Sequence, residues 1–163
     1  MGPPKWLIEG ILPRWSYGML YGPSGSGKSF LALEMAICVA TGANFHRRAT
    51  RATGGAFYVA AEDPRDFPIR ESAWRKYHGV PDRPAVRFLQ GSLTLNLPGK
   101  AEKLAASILR IDPEPGIIVI DTLSATFQGN ETGTRSTSAA STSSTTVTSC
   151  SGWTASPRSR GQN

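Results

Sequence analysis

The 163-residue chain is poor in several things, and each shortage excludes a class of protein. It has two cysteines, Cys38 and Cys150, too few for a disulfide framework, so a reducing compartment is the natural expectation. Cys38 lies in an apolar, helix-like run and reads as a small buried hydrophobe. No apolar run is long enough to span a bilayer. The N-terminus, with Pro3, Pro4 and Glu9, lacks the charged start and apolar centre of a signal peptide, so the expected location is cytoplasmic, with no membrane partner. His46 and His78 show no metal-ligand spacing and read as solvated loop residues. The net charge is +6, yet no run of basic residues carries it. That diffuse balance is weak support for nucleic-acid binding. Arg47, Arg48 and Arg51 form a small cluster that fits a solvated loop or, alternatively, a subunit or nucleic-acid contact.

Acidic residues are missing altogether beyond Glu131, where the texture changes. From Thr132 to Asn163, 17 of 32 residues are Ser or Thr, and only Val147, Cys150 and Trp153 offer larger apolar or thiol side chains. Such a segment buries too little surface to offset its ordering entropy and is expected to be disordered. The expected organisation is a lead-in over residues 1–16, a domain over 17–131 and this Ser/Thr-rich tail over 132–163. The lead-in, with its prolines and tryptophans, reads as irregular chain packed on the domain.

What is present within 17–131 is an alternation of strand and helix signals. Tyr17–Tyr21 reads as a short buried strand ending at Gly22. Lys28–Thr41 reads as a helix that is apolar nearly all round, stopped by Gly42. Ala56–Ala61 is a second strand, Arg65–Tyr77 a helix, Val86–Leu89 a strand and Gly99–Arg110 a helix. Ile117–Ile120 is a β-branched run ending in Asp121, suited to a strand buried on both faces. The order predicts an α/β fold with a mostly parallel sheet flanked by helices. Ligands in such folds sit beyond the carboxyl ends of the strands. Gly22, Glu62 and Asp121 all fall at such ends.

Gly22-Pro23-Ser24-Gly25-Ser26-Gly27-Lys28-Ser29 matches G-x-x-x-x-G-K-[ST], a loop that curls around phosphate. Its glycines allow backbone N–H groups to point inward, and the following helix adds its own unpaired N–H groups and dipole. Lys28 is expected to reach the β- and γ-phosphates of ATP, and Ser29 to place its hydroxyl on Mg2+. Phe30 follows directly and belongs to the same nucleotide-binding stretch. Asp121 is the candidate magnesium carboxylate, with a helix-capping or turn role as the alternative. Glu62 is the candidate base for an attacking water, on a strand expected to neighbour the P-loop strand. Asp63 could take that role instead, or cap the helix that follows.

Beyond these residues, Trp6–Pro13, Gly18–Gly22, the P-loop and Ser29–Leu33 resemble the RepA-like AAA-type ATPases, RecA-fold proteins related to hexameric replicative helicases. Phe57–Asp63 is similar to that family's second strand with its catalytic glutamate. Ile118–Ser124 is similar to its magnesium-binding strand, and Phe127–Glu131 to the acidic turn that follows. The resemblance implies an ATP-binding, magnesium-dependent ATPase of helicase-like or replication-associated character, with homo-oligomeric rings and DNA as partners in the parent family. The family continues into a histidine-bearing sensor strand and a trans-acting arginine, which residues 132–163 do not match. Arg135, Arg158 and Arg160 have no counterpart there. The implied state is C-terminally truncated and impaired in hydrolysis, with a central strand left as an open edge. The tail then reads either as an out-of-frame continuation or as a genuine disordered one. A non-catalytic nucleotide-binding subunit acting through ring assembly is the second reading, and a small-molecule kinase a third.

Overall fold

A computed structural model describes residues 2–51, 54–60, 67–80, 86–90, 94–95, 97–121 and 142–149. Within 142–149, side chains are described only for Thr145 and Val147. The chain opens with a small antiparallel pair, β1 (Trp6–Ile8) and β2 (Leu12–Pro13). The lead-in is therefore not irregular throughout. Leu7, Ile8 and Leu12 are buried and join the main core, which their apolar alternation between prolines makes possible.

Seven elements follow: β3 (Tyr17–Pro23), α1 (Lys28–Thr41), β4 (Ala56–Ala60), α2 (Phe67–His78), β5 (Val86–Gln90), α3 (Lys100–Ile111) and β6 (Ile117–Asp121). These agree with the strand–helix alternation read from sequence. A further strand, β7 (Thr142–Ser149), lies inside the Ser/Thr-rich segment. For these eight residues the expectation of disorder is corrected. Their threonines are β-branched, Thr145 and Val147 are buried, and the backbone is paired on both sides. Burial between two existing strands satisfies N–H and C=O groups that a free segment would leave to water. The rest of 132–163 falls outside the described residues.

The main sheet has the order β3-β7-β6-β4-β5. β4 pairs in parallel with both β5 and β6, forming a three-stranded parallel core. β7 is antiparallel to both β6 and β3, so β3 runs in the same direction as the parallel set. Two expectations change with this order. β4 does not neighbour the P-loop strand, because β6 and β7 stand between them. β6 is not an open edge, because β7 covers it. The P-loop strand itself lies at one edge of the described sheet, and Tyr17, Met19 and Tyr21, which share one face of it, are exposed rather than buried.

One face of the sheet packs on α1. Tyr58, Val119, Ile117 and Val147 join Ala32, Leu33, Ala36, Ile37 and Val39 in one core cluster. Phe67 of α2 extends it, with its ring 4.4 Å from Tyr58 and 5.4 Å from Phe88. The other face of β4 is buried too, through Phe57 and Val59, which is why Ala56–Ala60 is buried at every position. Ile118 and Ile120 are only partly covered, so β6 alternates rather than being sealed on both faces.

The entries to β4 and β6 cross closely. Gly116 N–H donates to Gly55 C=O (2.9 Å), and Gly55 N–H donates to the Asp112 carboxylate (2.8 Å). A Cβ on Gly54 would run into the Glu114 carbonyl. Side chains are excluded there by backbone approach. Asp112 also lies 3.9 Å from the Arg87 guanidinium.

Candidate active site

The loop between β3 and α1 carries Ser24 to Gly27. Gly25 and Gly27 have φ of 77° and 82°, a left-handed backbone that side chains rarely tolerate. Ser26 N–H donates to Pro23 C=O (3.3 Å), closing the turn. Gly27 starts α1 without a side-chain cap, and the first turn contains no acidic residue. The first N–H groups of α1, at Lys28, Ser29 and Phe30, precede the first intrahelical bond, from Leu31 N–H to Gly27 C=O (3.0 Å). The helix therefore presents free donors and its positive dipole end at the loop. Lys28 Nζ donates to Gly22 C=O (3.0 Å), Pro23 C=O (2.7 Å) and Ser26 Oγ (3.3 Å), which folds the ammonium back across the loop. Phe30 is exposed on the first turn, with the Arg70 guanidinium 4.9 Å from its ring centre.

Asp121 ends β6 and is buried, with 7% exposure. Register places it opposite Ala60 on β4 and opposite Thr145 on β7, and Thr145 is opposite Leu20 on β3. Asp121 therefore lies two strands from β3, about 10 Å across the sheet, at the level where β3 approaches Gly22. Glu62, Asp63 and Pro64 lie outside the described residues. In the chain they follow Ala60, the residue registered with Asp121.

The Asp121 carboxylate is held by two hydroxyls. Tyr58 O–H donates to Oδ2 (2.6 Å) and Thr145 O–H to Oδ1 (2.7 Å). Among the described residues no lysine or arginine pairs with it. Each oxygen retains one acceptor direction. The Tyr58 hydroxyl also lies 3.5 Å from the Ser29 carbonyl, so one phenol spans the space between β6 and the first turn of α1. Burial drives the Tyr58 pKa far above the ordinary phenol range, and the Asp121 charge raises it further. Both effects favour the neutral phenol, the form that donates to the carboxylate.

The donor set fits a magnesium ion. The two hydroxyls on the Asp121 carboxylate supply only dipoles and leave acceptor directions on its oxygens open to a cation. Ser29 and Asp121 offer hard oxygen ligands of the type magnesium takes. Among the described residues no group of three His, Cys, Asp or Glu forms a self-contained metal site, so an ion here would complete its shell with phosphate oxygens and water. When bound, such an ion supplies charge neutralisation for phosphate oxygens.

Neither Tyr58 nor Thr145 was singled out from sequence. Tyr58 sits within an apolar strand and reads as core, and Thr145 sits in the stretch expected to be disordered. The detectable signal was parity, since Tyr58 lies two positions before Ala60, the residue alongside Asp121. Both histidines read as solvated are exposed, His46 in a turn. His78 is the last residue of α2, with its ring stacked on Trp74 at 4.2 Å, and His46 Nε2 lies 3.3 Å from Glu34 Oε2. Only His78 departs from the loop reading, since it ends a helix. Arg48 donates to Glu9 C=O (3.2 Å), linking one member of the arginine cluster to the turn after β1. Among the described residues no helix is long and apolar enough to cross a membrane.

A strand, a glycine-rich turn, an uncapped helix and a buried aspartate at a nearby strand end define a P-loop nucleotide-binding core. Residues 2–149 match the AAA domain family, and the chain belongs to that family of nucleotide-binding ATPases, which take ATP with Mg2+. The match continues past Glu131 and includes β7. No curated protein and no solved structure matches the chain.

Proposed function

We propose that this chain is a magnesium-dependent ATP-binding and ATP-hydrolysing domain of a helicase-like, replication-associated protein, with a RecA-type arrangement. The observation that carries the nucleotide site is the pairing of the Gly22–Ser29 loop with the buried Asp121. In this reading the backbone of Gly22, Pro23, Ser24, Gly25, Ser26 and Gly27 cradles the phosphates. Lys28 exchanges its loop carbonyls for β- and γ-phosphate oxygens. Ser29 and Asp121 hold magnesium, Phe30 lies beside the nucleotide, and Glu62 orients or deprotonates the attacking water. The helicase-like and replication assignment rests on the resemblance of Trp6–Glu131 to RepA-like ATPases. So does the expectation that the active form is a homo-oligomeric ring acting on DNA.

Hydrolysis by the isolated chain is slow in this reading. The resemblance implies a sensor histidine and a trans arginine, for which no motif is read in residues 132–163, and such an arginine contributes roughly 10³–10⁵ in rate in related machines. Binding of a fluorescent ATP analogue to the purified chain, with and without Lys28→Ala, tests the site. The wild type binds in the presence of magnesium and the variant loses binding. Equal binding by both would remove the P-loop from the proposal.

A further inference from the structure

Two buried hydroxyls from separate strands, Tyr58 of β4 and Thr145 of β7, converge on the buried carboxylate of Asp121 at the end of β6. The two hydroxyls occupy different oxygens and so fix both the position and the plane of the carboxylate. They are unequal in reach. Thr145 connects only to Asp121 among its described hydrogen bonds, and it does so from the adjacent strand. The Tyr58 hydroxyl also lies 3.5 Å from the Ser29 carbonyl on the first turn of α1. Its ring cannot swing away. It is fully buried, lies 4.4 Å from Phe67 and 6.0 Å from Phe88, and sits in the core beneath α1.

We propose that Tyr58 is a positioning residue for magnesium: its hydroxyl sets the Asp121 carboxylate in register with the first turn of α1, so that Asp121 and Ser29 present their oxygens to the same ion. This rests on the nucleotide site proposed above and adds a residue to it. A phenylalanine at this position would pack equally well in the apolar core, so packing alone does not account for the hydroxyl. Groups that orient a metal ligand from behind set metal affinity even though they never touch the metal.

The test is a magnesium titration of MANT-ATP binding to the full chain, wild type against Tyr58→Phe, with a parallel titration of nucleotide in EDTA. We expect the variant to need roughly ten- to a hundredfold more magnesium to reach half of its tight binding. Its affinity in EDTA should match the wild type, because the loop and Lys28 are untouched. A purely structural role would weaken both titrations together. A folded variant whose magnesium midpoint stays within twofold of wild type overturns the inference and leaves the nucleotide site standing. A wild type that binds MANT-ATP no better with magnesium than in EDTA overturns the magnesium reading and the inference with it. If circular dichroism shows that Tyr58→Phe does not fold, 3-fluorotyrosine placed at position 58 of the otherwise unchanged chain provides the second measurement. Its 19F resonance should move when magnesium is added to the ATP-bound chain and stay put when ATP alone is added. A resonance that ignores magnesium overturns the inference.

Discussion

Replacing Thr145 by valine is the sharpest test of the sheet, because it asks whether a Ser/Thr-rich strand truly lies between the P-loop strand and the Asp121 strand. Thr145 is fully buried, and its hydroxyl donates to Asp121 Oδ1 at 2.7 Å. Valine has nearly the same shape, so no cavity forms and the loss is confined to one hydrogen bond. A bond to a charged acceptor contributes about 1.5–3 kcal/mol, and the substitution also takes a hydroxyl out of an apolar setting, so a net loss of about 2 kcal/mol is expected. For a domain of this size that corresponds to a fall in Tm of about 5 °C. Urea denaturation followed by circular dichroism measures the loss directly. The same substitution in an Asp121→Asn background should cost about half as much, since bonds to a neutral acceptor are roughly half as strong. The difference is the coupling between the two side chains. A Thr145→Val loss below about 0.5 kcal/mol, the range of ordinary surface changes, would refute the placement of β7. So would an equal loss in both backgrounds, because Thr145 would then be acting through something other than Asp121.

Two further outcomes follow from the packing. Gly54→Ala should destabilise the fold by about 2 kcal/mol or more, because the new methyl meets the Glu114 carbonyl and the backbone must move; urea denaturation of the variant checks this. Cys38 is buried, and burial, reinforced by the Glu34 charge, pushes its thiol up to about 12 from 9.0. The folded state therefore holds the thiol proton more tightly than the unfolded state, and the contribution to stability is complete below about pH 9 and declines as pH rises toward about 12. Ellman's reagent at pH 8.5 should leave Cys38 unmodified in the native chain and label it on unfolding, and a stability profile of Cys38→Ala should lack this share of the alkaline decline.

The parts of this fold that were legible in the sequence are those where one physical cause dominated. The P-loop glycines and the uncapped helix after them follow from the dihedrals the loop needs, and α1 begins at Lys28 and stops at Gly42 in its left-handed conformation as read. Ile117–Asp121 was visible as a β-branched run with one acid at its end. Neighbour relations were not legible. Nothing in the text of β4 says that it pairs with β5 and β6 rather than with β3, because a short apolar strand is acceptable at any central position. β7 was hidden because the disorder argument weighs each segment's own apolar surface. Strand Thr142–Ser149 draws its order from backbone pairing on two sides and from two inward side chains, Val147, one of the few apolar residues of the segment, and Thr145, which composition does not distinguish from its neighbours. Tyr58 was read for its ring and not for its hydroxyl, whose role depends on a carboxylate 63 residues further along the chain.

The position of β7 also governs when the site can exist. Among the described strands the main-sheet partner of β3 is β7, with Leu20 opposite Thr145, so the strand that leads into the P-loop waits for Thr142–Ser149 before it can join the sheet. β4, β5 and β6 can assemble from local crossovers as they leave the ribosome, whereas closing the gap between β3 and β6 is a long-range event with a correspondingly large loop-closure cost. Until then the unpaired edges of β3 and β6 are templates for other strands. In the proposed site, the loop after β3 and the aspartate ending β6 come together only on that insertion, so magnesium-dependent nucleotide binding would await it. Ligand would thus serve as a latch on the inserted strand: added during refolding, it should leave early collapse unchanged and slow only the escape of β7.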